Sequence, residues 1–220
     1  MKSAEFIKEA VTSLSGFDPR LEQEKWFKMI ELQSQAIAPI LARECSIYLN
    51  QIKKGNRPMY RGMGRLPSGM LTKRSGKRSA KMAVPQTVEY HHAADNWFLK
   101  NTGVRFRSDA IYTTGSYGKA EDYGKVGVIF PIGNFQFCWS PKYDSMLESL
   151  KEFGAVGTSG EILSEGQFYK GLAAGKYQTT DLSAALNSLN EVMVHCESFY
   201  IIGSADADQI IPSVMQLLGK

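Results

Sequence analysis

Residues 110–133 read AIYTTGSYGKAEDYGKVGVIFPIG. Ala110-Ile111-Tyr112-Thr113 is a short β-type run of β-branched and aromatic residues. Thr114-Gly115-Ser116 follows, then a short helical pattern with Ala120 and Tyr123 three apart, then a second apolar run from Val126 to Ile129. A strand that ends in hydroxyls and feeds a helix places polar groups at the rim of a sheet, where small-molecule sites are common. Two other pieces read as companions of this rim. One is Tyr60-Arg61-Gly62 upstream; the other is Asn190-Glu191-Val192-Met193-Val194 downstream. A chemical site forms here if these three strand ends converge.

The remaining sequence sets the frame. With 220 residues, 43% of them apolar and 22% charged, the chain can bury a real core and is not disordered by composition. No apolar run approaches the roughly 18–20 residues that cross a bilayer. In MKSAEFIKEAVTSL charges flank every short apolar cluster, which is not a secretory signal pattern. Cys45, Cys138 and Cys196 are far apart and odd in number, and Cys138 and Cys196 read as buried in apolar runs. They imply neither a disulfide framework nor a zinc site, and a reducing cytoplasm is the expected setting. His91, His92 and His195 have no Ser or Cys nucleophile at a recognisable spacing and read as structural. From Lys53 to Lys81 there are ten Lys or Arg and no Asp or Glu, while the rest of the chain holds 16 basic and 22 acidic residues. Such segregation implies an anionic partner, unless it is a solvated loop.

In chain order, a helix is expected over Ser3–Leu14, then a longer one from near Leu21 to Ile52 that Pro39 kinks or divides. Residues 1–55 thus read as a helical lead-in. Pro58 to Gly62 is extended; the Gly-, Ser- and base-rich stretch after it, including Lys73–Lys81, reads as a long mobile loop. Thr87–Leu99 returns to helix, Val104–Arg107 is a candidate edge strand, and Phe135–Trp139 alternates as a strand. Helical patterns follow over residues 143–153, 162–172 and 181–189. Val192–Cys196 and Phe199–Ile202 read as one bulged strand or a tight hairpin, and Ser204 opens a last helix. Helices first, then strands and helices without strict alternation, argue an α+β fold with a mainly antiparallel sheet.

The residue types at the three strand ends narrow the chemistry. Arg61 is a planar cation suited to phosphate, and Gly62 allows close backbone approach. Thr113, Thr114 and Ser116 are neutral hydroxyls, while Tyr112, Tyr117 and Tyr123 are aromatics that stack planar rings. Glu191 is a carboxylate opening a third strand. One arginine, hydroxyls and one carboxylate suit cleavage of a glycosidic bond through an oxocarbenium-like state.

The order Tyr-Arg-Gly, a strand with Thr/Ser, and Glu-Val-Met-Val resembles the Arg–Ser–Glu class of mono-ADP-ribosyltransferases, most of all small phage-encoded members. The stretches WFLKNTGVRFRSDAIYTTG and YGKVGVIFPIGNFQFCWSP add to that likeness. The resemblance implies a split, mainly antiparallel sheet over residues 56–220 and NAD as the co-substrate. It implies Arg61 on NAD phosphate and ribose, Gly62 at the nicotinamide amide, and Glu191 as the essential carboxylate, with Tyr112, Thr113, Thr114, Tyr117 and Tyr123 around the cofactor. Two departures stand. The family's Ser-x-Ser is Tyr112-Thr113-Thr114 or Thr113-Thr114-Gly115 here, with Thr114 the best supporting hydroxyl; and Leu189 occupies a position that is often acidic or amide. Transfer to a host protein or nucleic acid, simple NAD hydrolysis and a degenerate enzyme all stay open. The alternative from another class is a non-catalytic nucleic-acid-binding or host-interaction module using the basic 53–81 stretch.

Overall fold

The computed structural model describes residues 19–52, 57–66, 71–76, 88–157 and 161–219. The expected helix over Ser3–Leu14 and the basic residues Lys53, Lys54, Lys77, Arg78 and Lys81 lie outside them. In chain order the elements are α1 (Pro19–Glu44), α2 (Ser46–Gln51), β1 (Tyr60–Met63), β2 (Thr72–Ser75), α3 (Val88–Thr102), β3 (Ile111–Thr114), α4 (Tyr117–Glu121), β4 (Lys125–Pro131), β5 (Phe135–Trp139), α5 (Met146–Glu152), α6 (Glu165–Ala174), α7 (Leu182–Ser188), β6 (Glu191–Cys196), β7 (Ser198–Gly203) and α8 (Ser204–Leu217). This is an α+β architecture.

Among the described residues, seven strands pair in the order β2-β7-β4-β1-β3-β6-β5, each pairing antiparallel. The joint between β1 and β3 is a single pair, Tyr60 with Thr114. Two four-pair ladders, β1 with β4 and β3 with β6, meet there. Four strand spacings separate β6 from β7, about 19 Å in a flat sheet. Yet only Glu197 lies between these strands, and two peptide units span at most about 7.6 Å. The halves β2-β7-β4-β1 and β3-β6-β5 therefore fold toward each other about the weak joint.

Period-two alternation explains what each half buries. On β6, Val192, Val194 and Cys196 enter a core shared with Phe130, Phe199, Ile201 and Ile202 of the other half. Leu41, Tyr48 and Leu49 from α1 and α2, and Ala207, Ile210 and Val214 from α8, belong to the same core, so the N-terminal helices pack into the sheet. Met193 points the other way, into a second core built with Tyr90, Phe98, Leu150, Phe168 and Leu172 of the covering helices and with Phe106 of the segment after α3. Glu191 and Met193 share that second face.

Four sequence expectations need correction. Helix α1 is not divided at Pro39; the interruption comes at Cys45. Pro39 and Gln35, whose carbonyl the proline ring displaces, are both exposed, so water can satisfy that carbonyl while the helix packs on α8. Part of the supposed loop at Lys73–Lys81 is strand: Thr72–Ser75 pairs with β7 from Thr72–Ile201 to Ser75–Ser198. Residues 104–107 are no strand; Asp109 N donates to Arg105 O in a turn at 2.8 Å. Lastly, β6 and β7 form neither a bulged strand nor a hairpin, because each pairs within its own half of the sheet.

Candidate active site

The register assembles the site. Tyr60 faces Thr114 and Thr114 faces Glu191, so one row of partners crosses β1, β3 and β6. Arg61 is the next residue on β1. Where main-chain pairing of β1 with β3 stops, its side chain enters the gap and Nη1 donates to Tyr112 O at 2.9 Å. Arg61, Gly62, Thr114 and Glu191 line one cavity of about 680 Å³, a size ordinary for small-molecule and cofactor sites. Tyr112, Thr113 and Tyr123 also border it; Tyr117 does not, and its ring stands edge-on to Tyr60 at 5.7 Å. A second hollow of about 740 Å³, between β5 and the start of α7, holds none of these residues.

The hydroxyls divide in function. Thr113 is buried on the opposite face, and its Oγ1 donates to Val192 O at 3.0 Å, so it is a sheet fastener. Thr114 Oγ1 donates to Leu189 O at 2.9 Å and accepts from Ser116 N at 3.1 Å. Leu189 sits at φ 65°, a left-handed conformation that ends α7 one residue before the Asn190–Glu191 turn into β6. Thr114 thus pins the turn that delivers Glu191. From the other side Glu191 N donates to Asp144 O at 2.7 Å, and Asn190 Nδ2 to Ser140 O at 2.9 Å. The residue carrying the carboxylate is held by three segments. Ser116 caps α4 through Lys119 N at 3.2 Å.

Gly62 is required by packing. A Cβ there would lie 1.9 Å from Ala120 O, so α4 closes against the β1 backbone only because no side chain intervenes. Gly115 makes the same allowance for α7, where a Cβ would fall 1.8 Å from Leu186 O. These two glycines let the helices on either side of the β3 end approach closely enough to wall the cavity.

The electrostatics include a group that the sequence reading passed over. Arg107 borders the cavity, its guanidinium carbon 5.1 Å from the Tyr90 ring centroid and 5.1 Å from that of Tyr112. Its Nη1 donates to the Tyr112 hydroxyl at 2.8 Å, and that hydroxyl donates back to Arg107 O at 3.1 Å. Burial opposes the guanidinium's charge, but Tyr112, Tyr90 and the Glu191 carboxylate together hold its pKa above the usual value. The Tyr177 phenol is pushed up, first by burial and then by Glu191. At the rim, Lys119 forms an ion pair with Asp144, linking α4 to the segment before α5. Both partners are substantially exposed, so the pair is worth about 0–1 kcal/mol. The available signal for Arg107 was its place between the apolar Phe106 and the key strand, in Phe106-Arg107-Ser108. Its partners Tyr90 and Asp95 are too distant in sequence to be paired with it by pattern.

The histidines and cysteines stay outside. His195 Nδ1 is bonded to Asp109 O at 2.8 Å, and all three thiols are buried and unpaired by disulfides. Among the described residues no three His, Cys, Asp or Glu side chains cluster in a way that would hold a metal ion, and no helix is long and apolar enough to cross a membrane. Comparison with protein-family models, curated proteins and solved structures finds no match for this chain.

Proposed function

We propose that this cavity is the site of an NAD-dependent mono-ADP-ribosyltransferase, which moves ADP-ribose to a macromolecular acceptor and releases nicotinamide. The observation that carries the reading is the register: Tyr60, Thr114 and Glu191 lie in one row across three strands, with Arg61 beside them on the same cavity. The residues present fit NAD. Arg61 supplies a cation at a strand end for a phosphate, Tyr60 and Tyr123 offer aromatic surface, and Glu191 supplies one anchored carboxylate.

NAD contributes a ribose carbon whose bond to nicotinamide breaks with the electron pair leaving on the ring nitrogen, so positive charge grows at that carbon. Glu191 stabilises the developing charge and accepts a ribose hydroxyl hydrogen bond. Thr114 keeps the Leu189–Glu191 turn in place, so the carboxylate is oriented before substrate arrives. An acceptor nucleophile, or water in simple hydrolysis, then forms the new bond at the same carbon and loses its proton.

The test is nicotinamide release from NAD by the purified protein and by Glu191→Gln. The second reading, a non-catalytic binder of nucleic acid or a host protein, has its own observation: Lys73 and Arg74 are exposed on edge strand β2. It requires no carboxylate. Release that depends on Glu191 supports the transferase; absence of NAD binding by the unmodified protein supports the binder.

A further inference from the structure

We propose that the outer edge of β5 is a docking strand for an extended peptide segment of a partner protein, one that carries a basic side chain and adds beside Phe135–Phe137 as a further strand of the sheet. β2 ends the sheet on one side and β5 on the other. The two edges are built differently. On β2, Lys73 and Arg74 are exposed, and charges of this kind discourage a further strand. β5 reads Phe135-Gln136-Phe137-Cys138-Trp139, with neither charge nor proline. An edge left unblunted in this way is a template for pairing.

The chain itself covers only one end of that edge. Trp139 N donates to Gln178 O at 3.0 Å and Gln178 N donates to Trp139 O at 2.9 Å, an antiparallel pair on the side away from β6. There the cover stops. Trp139 Nε1 donates to Thr180 O at 3.1 Å, and Asp181, at φ 58°, turns the chain into α7. In an antiparallel ladder the bonded side alternates residue by residue. Cys138 and Gln136 therefore bond toward β6, while Phe137 and Phe135 direct their N–H and C=O groups outward, as Trp139 does. Those two N–H and two C=O groups have no partner among the described residues. The hollow of about 740 Å³ opens beside them, lined also by the 179–181 segment and the start of α7.

Unpaired main-chain groups in β register are complementary to another main chain, which supplies affinity while side-chain pockets supply selectivity. The lining of the hollow holds one carboxylate, Asp181, and no Lys, Arg or His; the remainder is amide, hydroxyl and apolar. Such a lining disfavours phosphate and favours a basic side chain. A second copy of the chain is the poorer occupant. The 179–181 segment stands beside β5 in every copy, so joining two such edges would set one segment against the other. Nothing in this edge depends on NAD or on Glu191.

The probe is an end-blocked hexapeptide, Thr-Val-Lys-Val-Thr-Val, titrated to millimolar concentration into uniformly ¹⁵N-labelled full-length protein. The Phe135 and Phe137 amide resonances should shift saturably, and their hydrogen exchange should slow by at least about 10-fold at saturation. Gln136 and Cys138 amides, already bonded to β6, should keep their exchange rates. The same peptide N-methylated at every internal residue keeps its side chains but cannot donate, and should not bind. Asp181→Asn retains a side chain that tolerates a left-handed φ and caps a helix. It should weaken the Lys peptide by about 3- to 10-fold and leave a Gln-for-Lys peptide within about 2-fold, the scale of one charge-assisted contact. Unmoved Phe135 and Phe137 amides, or equal binding of the N-methylated peptide, overturn the proposal. Protection of these amides that rises with protein concentration in the absence of peptide assigns the edge to a second copy and overturns it too. An Asp181→Asn effect equal on both peptides removes the preference for a basic partner.

Discussion

At the residue scale, the transferase proposal rests on Glu191, Arg61 and Thr114, and each predicts a different failure. A carboxylate beside the ribose gains most when positive charge develops and little before. Glu191→Gln should therefore leave NAD affinity within a few-fold and reduce turnover by at least ~100-fold, the loss expected of one well-placed electrostatic group. Arg61→Ala removes the phosphate contact proposed for it and the bond to Tyr112 O, so NAD binding should weaken first. Separate measurements of NAD binding and nicotinamide release distinguish the two. Thr114→Val keeps the shape but leaves Leu189 O and Ser116 N without their partner. Two lost contacts near buried backbone should cost about 1–3 kcal/mol in urea unfolding; an unchanged midpoint would show that the turn does not need the hydroxyl. The cysteines give a cleaner test of burial. Desolvation pushes the thiols of Cys45, Cys138 and Cys196 up to about 12, so all three are protonated at pH 8. Iodoacetamide should label none in the native protein and all three after unfolding.

At the element scale, the close approach of α4 to β1 and of α7 to the β3 end makes the cavity walls. Gly62→Ala sets a methyl against the Ala120 carbonyl and should destabilise by about 1–3 kcal/mol, the usual cost of forced overpacking. Gly64, two residues on, has nothing within 4 Å of its missing Cβ, so Gly64→Ala should stay within about 0.5 kcal/mol. Equal effects at the two positions, measured by denaturation, would contradict the close packing of α4. The same scale shows what could be read from the chain. Strands β3, β4, β5 and β6 bury most of their residues and announced themselves as β-branched, aromatic or apolar runs, with alternation legible at β5. Strand β2 did not: Lys73, Arg74 and Ser75 are exposed at a sheet edge, so Thr72–Ser75 contains no apolar period to detect. The 105–109 turn was missed for a related reason. Its phenylalanine is core and its shape is imposed by Asp95 of α3, a tertiary hydrogen bond that no local pattern encodes.

At the scale of the whole molecule, the candidate site lies across the weakest line of the sheet. Arg61 belongs to one half, Thr114 and Glu191 to the other, and the main-chain pairing between β1 and β3 is the single pair Tyr60–Thr114, supplemented by the Arg61 bond to Tyr112 O. That strand ends would gather polar groups was legible, since Arg61, Thr114 and Glu191 each border an apolar run; that the sheet folds at their meeting point was not, because it follows from which distant strands pair. A ligand held by both halves binds the folded chain and has no counterpart in the unfolded one. Its stabilisation grows as RT ln(1 + [L]/Kd), about 2.7 kcal/mol at 100 times Kd. For a chain of this size that should raise Tm by roughly 5–11 °C. Glu191→Gln should retain the shift, because its carboxylate acts mainly as charge develops, whereas Arg61→Ala should lose most of it. Differential scanning with NAD, and with ADP-ribose as a product-like control, reads all three proteins under one condition. No shift in the unmodified protein at millimolar NAD would remove NAD as the ligand of this cavity, and a shift that survives Arg61→Ala would place it elsewhere in the molecule.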